Sequence, residues 1–259
     1  MPKETAARSV VEIAPNIAAL SDAAAERFVV ASNHAIDAYG RFVVALAGGS
    51  TPRRTYELLA RQPFAPRVNW SRVHVVWGDE RCVPPGDADS NYRMAREALL
   101  DHVPIPATNV HRMYGEDNPV AAAESYETTL RTLFQTPNGP PASAPGKNID
   151  LALLGLGDNG HTASIFPESA AASEQSRWAM AEYVPAASMW RVTLTAPILN
   201  AAAEVLFLVA GGGKAEVLRR VLEGPRLPRE LPAQLITPAR GQIRWLADVA
   251  AAAELGKRT

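Results

Sequence analysis

The sequence predicts an α/β fold, a three-layer α/β/α sandwich around a mainly parallel, Rossmann-like sheet. Two observations support this prediction. Short β-rich runs alternate along the chain with longer helical patterns, which is typical of right-handed βαβ units. The apolar residues of these runs follow one another without polar alternation, which indicates strands buried on both faces. The predicted strands cover residues 41–49, 72–80, 148–157, 203–213 and 233–237.

The segments between these runs predict helices. The first covers residues 21–38 and opens on Ser21 and Asp22, which are favourable N-cap residues. The second, over residues 51–61, begins with Thr51 followed by Pro52, a common helix start. Further helices are predicted over residues 90–102, 118–134 and 213–224, and residues 241–255 are predicted to run from a short strand into a final helix.

Length and composition fit a globular protein interpreted as a single domain over residues 1–259. The chain is 47% hydrophobic and 20% charged, which is enough to bury a sizeable core. The Pro- and Gly-rich segment 136–148 is expected to be an exposed loop rather than a domain boundary, because the alternation of strands and helices resumes directly after it. Residues 1–9 are expected to be disordered.

Charge and cysteine content exclude several classes of function. The formal net charge of -1 gives no attraction to nucleic acid or to an anionic membrane. The single cysteine, Cys82, rules out an intrachain disulfide and fits a reducing compartment. No run of about 18 apolar residues could span a membrane, and the start of the chain lacks the apolar centre of a signal peptide. We therefore expect a cytoplasmic enzyme or binding protein.

Four predicted strands end in residues that are suited to chemistry. The ends have the sequences GGSTP at 48–52, GDER at 78–81, GDNGH at 157–161 and GGGK at 211–214. In an open parallel sheet, ligands bind beyond the carboxyl ends of the strands, so these four ends should converge on one edge. Their clustering predicts the functional site at that edge.

The first of these strand ends has the features of a phosphate site. Gly48 and Gly49 let backbone N–H groups point at a ligand, and the start of the following helix adds a partial positive charge. Ser50 and Thr51 add hydroxyl donors. The alternative is a tight turn in which Thr51 caps the helix and Pro52 is its first residue. The local sequence leaves both interpretations open.

Two other strand ends supply charges. Lys214 stands in the first turn of a predicted helix, where a cation is unfavourable unless an anion lies nearby. The surrounding residues do not match a P-loop, and the alternative is a solvated lysine in a glycine-rich turn. Asp79 and Arg81 should project to the same side if the strand continues through them. Arg81 can then bind a phosphate bidentately, or the charges can pair to orient a loop.

The remaining strand end presents a single histidine, His161. No metal is expected, because no partner at metal-ligand spacing is found among the other histidines, which are His34, His74, His102 and His111. A serine-hydrolase motif is also absent from the sequence. His161 is then either a general base that activates water or a residue that hydrogen-bonds the backbone of its own turn.

Together these segments resemble the 6-phosphogluconolactonase family, a sister of the glucosamine-6-phosphate deaminases. The resemblance implies a single α/β domain that hydrolyses 6-phospho-D-glucono-1,5-lactone to 6-phosphogluconate, the second step of the oxidative pentose phosphate pathway. It implies no metal or organic cofactor and a sugar-phosphate lactone as partner. We expect a monomer or small homo-oligomer. The similar segments, in family order over roughly residues 10–250, are LAGGSTP, WGDERCVP, DSNYRMAREALL, LLGLGDNGHTASIFP, WRVTLTAPILNAA and FLVAGGGKAEVL.

The resemblance also implies roles for individual residues. His161 would be the base that takes a proton from water as the water attacks the lactone carbonyl. Arg191, in the segment WRVTLT, would contact the phosphate or the sugar ring. Asp79, Asp158 and Asn159 would support the site. The residues that would hold the 6-phosphate are Gly48, Gly49, Ser50, Thr51, Arg81 and Lys214.

One position departs from the family pattern. Family members often carry an aspartate two residues before the histidine, where this chain has Asn159, with Asp158 beside it. An asparagine can accept a hydrogen bond from the ring but cannot balance the charge of an imidazolium. Either Asp158 or a distant carboxylate shares that role, or the base depends less on a partner.

Two other functions share part of the pattern. A deaminase of the sister family would have a glutamate five residues after the histidine, where this chain has Phe166, and an aspartate in place of Asn159. A non-catalytic sugar-phosphate sensor need not keep His161. The residues that it would keep are Ser50, Thr51, Arg81 and Lys214. Ligand binding without turnover would support the sensor.

Overall fold

Strands and helices alternate in this computed structural model, which describes residues 8–136, 138–142, 144 and 146–256. None of the described helices is long and apolar enough to cross a membrane. The strands are β1 (Arg8–Ala14), β2 (Phe42–Leu46), β3 (Val73–Trp77), β4 (Asp79–Arg81), β5 (Leu151–Gly155), β6 (Ala179–Val184), β7 (Met189–Leu194), β8 (Glu204–Val209) and β9 (Gln242–Asp248). The α-helices are α1 (Ile17–Tyr39), α2 (Ser50–Leu59), α3 (Asn91–Ala98), α4 (Pro119–Leu133), α5 (Ala196–Leu199) and α6 (Ala215–Glu223).

The larger sheet is parallel, as predicted, and has the strand order β1-β9-β8-β5-β2-β3. From β2 the chain passes to β3 on one side and then to β5 on the other, so the order reverses between β2 and β5. Ligands bind at such a switch point, beyond the carboxyl ends of the strands. Every residue of β2 is buried, which agrees with the continuous apolar run that predicted it.

Helices cover both faces of the larger sheet. Arg27 of α1 and Arg244 of β9 both pair with Glu204 of β8, so α1 lies on the face to which these side chains project. Val221 of α6 lines a pocket together with Trp245, the residue that follows Arg244 in β9. Because successive side chains of a strand project to opposite faces, α6 lies on the other face. The predicted three-layer arrangement is confirmed.

A smaller antiparallel sheet, with the order β4-β7-β6, follows β3 directly and was not predicted. Gly78 joins the two sheets, since its N–H donates to Leu46 of β2 (2.9 Å) and its carbonyl accepts from Leu194 of β7 (2.8 Å). The strand predicted over residues 72–80 is therefore divided at Gly78. Burial changes along β6 and along β7, so a search for continuously buried runs does not find them.

Two segments were expected to lack regular structure. Within residues 136–148, the described residues contain neither helix nor strand. The expected disorder of residues 1–9 is wrong at its end, because Arg8 and Ser9 belong to β1 and pair in parallel with β9. Residues 1–7 lie outside the described part of the chain.

Helix starts differ from the predicted ones by a few residues. α1 begins at Ile17, because the side chain of Asn16 caps it by accepting the N–H of Ala19 (3.0 Å). Ser21, the predicted cap, instead donates to the carbonyl of Ile17 within the helix (2.8 Å). α3 begins directly after its cap Ser90, at the start of the helix predicted over residues 90–102.

The strand predicted over residues 233–237 and the predicted final helix are both wrong. Pro232–Leu235 form a 3-10 turn, in which the Gln234 amide donates to carbonyls at the end of α6 and in the loop after it. These bonds tie the segment to the helix instead of the sheet. After β9, residues 249–255 form turns. The Asp248 carboxylate fixes their start by accepting backbone N–H groups from this segment and from the loop after β8.

Two buried tyrosines satisfy the backbone at the ends of β2 and β3. The hydroxyl of Tyr56 in α2 donates to the carbonyl of Ala47 and accepts its N–H, both at 2.9 Å. Tyr126 of α4 accepts the N–H of Trp77 (2.7 Å) and donates to its carbonyl (3.3 Å). Each hydroxyl replaces backbone partners, so β2 and β3 reach their glycine-containing ends with these groups paired.

Tyr56→Phe should lower the free energy of unfolding by about 1–3 kcal/mol, because it leaves the N–H and carbonyl of Ala47 buried without a partner. Urea denaturation followed by circular dichroism measures this change. Tyr39→Phe, at a tyrosine that is 42% exposed, is the matched control. That control should change the free energy by less than about 0.5 kcal/mol. Equal stability of Tyr56→Phe and the unaltered protein would contradict the role assigned to this hydroxyl.

Candidate active site

A cleft of about 270 Å³ opens at the carboxyl edge of the larger sheet. Its walls come from the loops that follow β2, β3, β5 and β8, the four strand ends that were predicted to converge, and from β7 of the smaller sheet. The predicted site residues that line it are Gly48, Gly49, Asp79, Arg81, Asp158, His161, Arg191 and Lys214.

The loop after β2 presents its backbone to the cleft. Gly49 has a φ of 102°, in the left-handed region that favours glycine, and it occupies the cap position of α2. Thr51 is therefore not the N-cap. The first N–H groups of α2 have no partner within the helix, so they are available to an anion. Ser50 and Thr51, the first two residues of α2, are not among the described residues that line the cleft.

Asn91, the first residue of α3, also lines the cleft and was not predicted as a site residue. It lies so close to Gly48 that a Cβ atom there would come within 2.0 Å of its Oδ1. Its Nδ2 donates to the carbonyl of Asp79 (2.9 Å). The buried carboxylate of Glu80 accepts the Asn91 backbone N–H (2.7 Å) and so fixes the start of α3. No local signal predicts these contacts, because they depend on how β2, β4 and α3 pack.

Arg81 and Arg191 lie directly opposite each other on β4 and β7. Like charges in this position destabilise a strand pair unless an opposite charge lies close by. Asp79 supplies one such charge, 3.7 Å from Arg191. Burial lowers the pKa of Arg191, and the Nε atoms of both arginines are buried with no hydrogen-bond partner in the described structure. Two guanidinium groups placed in this way suit a bidentate oxyanion such as phosphate.

Asp79 is buried and connects the parts of this wall. Its carboxylate accepts the hydroxyl of Ser164 (2.6 Å) and the side-chain amide of Asn91 (3.3 Å). The same hydroxyl oxygen accepts from Arg191 (3.4 Å). Asp79 therefore orients Arg191 and fixes the turn that contains Ser164.

The loop after β5 fixes the ring of His161. Oδ1 of Asn159 accepts the backbone N–H of His161 (3.2 Å) and lies 2.7 Å from the ring atom Nδ1. Because a backbone N–H can only donate, this geometry assigns the amide oxygen to the ring and the proton to Nδ1. Nε2 of the neutral ring is then free to accept a proton. A Cβ atom at Gly157 would come within 2.0 Å of the ring, so glycine is required there.

Asp158 does not orient the histidine. Its carboxylate pairs with the ammonium group of Lys214, and this hydrogen bond lowers the pKa of Asp158. Lys214 ends the 3-10 turn Gly212–Lys214, so the ion pair joins the loop after β5 to the loop after β8. Lys214 is therefore held at the cleft by a partner and is not simply a solvated side chain.

Burial, together with nearby charges, keeps His161 neutral. Burial is the main cause that lowers the pKa of His161, to about 4; the charge of Asp79 acts against it, and the charges of Arg191 and Lys214 act with it. A ring with this pKa carries no charge at pH 7. It can therefore accept a proton at Nε2 and does not repel the neighbouring cations.

Within the described residues, no group of three or more His, Cys, Asp or Glu side chains is placed to hold a metal ion. His74 and His111 contact each other outside the cleft, with 3.2 Å between Nδ1 and Nε2. His34 and His102 are exposed. Among the described residues, His161 is thus the histidine that lines the cleft.

The fold and the cleft define an α/β protein in which three cationic side chains lie in one cleft with a neutral histidine. The chain belongs to the family described as glucosamine-6-phosphate isomerases/6-phosphogluconolactonase, which it matches over residues 15–245. The resemblance inferred from the sequence motifs is confirmed.

Individual relatives agree with this assignment. The chain is 40% identical over 249 residues to a 6-phosphogluconolactonase of Nostoc sp., covering 96% of this chain and 99% of that protein. The solved 6-phosphogluconolactonase from Trypanosoma cruzi has a TM-score of 0.84 and 28% identity, over 98% of this chain and 100% of that one. A monomeric glucosamine-6-phosphate deaminase has a TM-score of 0.77 at 21% identity, over 95% and 99% of the two chains. This last likeness concerns the fold alone.

Asn159→Asp should raise the pKa of His161, because a carboxylate would replace the amide oxygen at Nδ1 and stabilise the charged ring. An adjacent opposite charge typically shifts a pKa by about 1–3. NMR titration of the ring protons in the ligand-free protein measures this change, and the spectrum of His161→Ala identifies the resonance. In the unaltered protein the ring should stay neutral down to about pH 5. A midpoint near the ordinary value of about 6.5 would contradict the burial of this ring.

Proposed function

We propose that this protein hydrolyses 6-phospho-D-glucono-1,5-lactone to 6-phosphogluconate, with His161 as the base that activates the attacking water. The observation that carries the proposal is a single cleft that holds a neutral histidine and the cations Arg81, Arg191 and Lys214. Relatives named 6-phosphogluconolactonase support the choice of the lactone as substrate.

The phosphate of the substrate would bind at the cationic wall of the cleft, which consists of Arg81, Arg191 and Lys214. Arg81 and Arg191 offer guanidinium N–H groups from opposite strands, and the start of α2 offers backbone N–H groups beside Gly49. A bound dianion would reduce the repulsion between the two arginines. It would also compete with Asp158 for the ammonium group of Lys214. Holding the phosphate fixes the distant lactone carbon against the base.

The reaction then needs one proton acceptor that becomes a proton donor. Nε2 of His161 takes a proton from water while the water oxygen attacks the lactone carbonyl carbon. The tetrahedral intermediate breaks the bond between this carbon and the ring oxygen, and the imidazolium returns its proton to that oxygen. The products are a carboxylate, a hydroxyl and the proton released by the new acid. The Nδ1–H bond to Asn159 keeps the ring in the required tautomer throughout.

Substrate binding strengthens the base in this mechanism. In the ligand-free protein, the charges of Arg191 and Lys214 help to lower the pKa of His161. A phosphate dianion bound to these cations would offset their charge, so the imidazolium of the transition state would be less destabilised. The cationic wall therefore serves binding and proton transfer together.

The deaminase reaction is not favoured at this site. Sugar ring opening and loss of an amine need carboxylates beside the histidine, and the two positions concerned are Asn159 and Phe166. Asp79 is buried among protein partners and holds Arg191. Asp158 is paired with Lys214.

His161→Ala should lower kcat by about 10²–10⁴-fold, which is the usual contribution of a general base. Affinity for 6-phosphogluconate should stay within about 3-fold, because the groups that bind the phosphate remain in place. A coupled assay measures turnover: glucose-6-phosphate dehydrogenase forms the lactone in place, 6-phosphogluconate dehydrogenase reports the product, and spontaneous hydrolysis is subtracted. EDTA is present throughout, and His102→Ala, at an exposed histidine, is the matched control.

Near-full turnover by His161→Ala would show that another group acts as the base. Binding of 6-phosphogluconate by the unaltered protein without any acceleration would favour a sugar-phosphate sensor. Acceleration that EDTA abolishes would contradict the proposal of a reaction without a metal.

Arg81→Ala and Lys214→Ala should each raise KM by about 10- to 100-fold, the effect of losing one or more charge-assisted hydrogen bonds to phosphate. With gluconolactone, which has no phosphate, neither substitution should raise KM. Arg219→Ala, at an exposed arginine of α6, is the matched control and should leave KM unchanged. An equal rise in KM with both substrates would show that Arg81 and Lys214 do not act by binding the phosphate.

A further inference from the structure

Phe166 is a half-buried aromatic residue that is not among the described residues of the hydrophobic core or packed against it. Its ring stacks on the imidazole of His161, with the centroids 4.2 Å apart and the planes at 25°. The guanidinium carbon of Arg191 lies 5.6 Å from the centroid of the same ring. Phe166 therefore contacts both the proposed base and one of the cations.

A tightly held turn brings Phe166 back onto the imidazole. The N–H of Ile165 donates to the carbonyl of Thr162 (2.9 Å), and Ala163 has a φ of 47°, which side chains rarely allow. The hydroxyl of Thr162 donates to the last carbonyl of β5 (2.9 Å), and that of Ser164 donates to the buried carboxylate of the cleft wall (2.6 Å). Ile165 is fully buried. These contacts fix the backbone on which Phe166 stands.

The phenyl ring completes the enclosure of the imidazole. Asn159 binds Nδ1, Gly157 touches the edge between Nδ1 and Cε1, and Phe166 covers a face of the ring. Nε2 is the nitrogen left to meet a water molecule. The distance to Arg191 also falls within the range in which an aromatic face attracts a guanidinium group.

We propose that Phe166 is a positioning residue that holds the ring of His161 and the guanidinium group of Arg191 in one fixed relation. The proposal rests on the proposed function, since it assigns His161 to proton transfer and Arg191 to the phosphate. The side chain of Phe166 thus contacts both the group proposed for proton transfer and a group proposed to bind the phosphate. Its aromatic face is the feature that does this, so an aliphatic side chain of similar size would not replace it.

Phe166→Leu and Phe166→Tyr test this role together. Phe166→Leu should lower kcat by about 10- to 100-fold, because a small misplacement of a reacting group has effects of this size. The titration midpoint of His161 in the ligand-free protein should rise, because water reaches the uncovered face. Phe166→Tyr keeps the aromatic ring and should stay within about 3-fold of the original kcat. The control is Tyr114→Leu, which removes a ring stacked 4.2 Å from Arg112 outside the cleft.

An unchanged kcat and an unchanged midpoint in Phe166→Leu would overturn the proposal. Equal losses of kcat in both Phe166 variants, with no movement of the midpoint, would also overturn it. If Phe166→Leu does not fold, as judged by circular dichroism, Phe166→Met carries the same test. The titration needs no substrate. If the unaltered protein does not hydrolyse the lactone, the proposed function fails, whereas a raised midpoint in Phe166→Leu still supports the positioning of His161.

Discussion

The buried carboxylate of Asp79 is the charge on which the rest of the cleft depends. A buried carboxylate is tolerated only when it is paired and hydrogen-bonded, and Asp79 meets this condition through Arg191, Ser164 and Asn91. Because its negative charge lies close to Arg191, that arginine can be buried opposite Arg81. It also connects the turn after the histidine to the start of α3. One negative charge thus sets the positions of groups that come from separate elements of the fold.

The two sheets contribute different chemistry because their geometry differs. The parallel sheet ends in loops that open helices, so it supplies backbone N–H groups and the histidine loop at its switch point. The antiparallel sheet continues past that edge and projects Asp79, Arg81 and Arg191 into the cleft. Gly78 is the junction, since its hydrogen bonds reach both sheets. A single sheet would not place charged side chains over the loops of its own carboxyl edge.

The parts of the site that could be predicted are those encoded within a few residues. The glycine-rich strand ends are local patterns, and the rule for parallel sheets brings them to one edge, where the structure places them. The pairing of Arg81 with Arg191 depends on strand register, and neither β6 nor β7 is buried along its whole length. The contact of Asn91 with Gly48 depends on packing. Asp158 could not be assigned from its neighbours, because its partner Lys214 belongs to another loop.

Asn159 holds the ring of His161, the proposed base, without adding charge to a cleft that already contains several cations. An aspartate at this position would raise the pKa of the ring, but it would also place a fixed negative charge near the proposed phosphate site. The amide oxygen fixes the tautomer without adding charge. In the proposed reaction, the negative charge that stabilises the imidazolium would come from Asp79, from Asp158 and from the phosphate of the substrate. In the ligand-free protein the histidine is a weak base, mainly because it is buried. In the proposed reaction, a phosphate bound to Arg191 and Lys214 would offset the two charges that lower its pKa further.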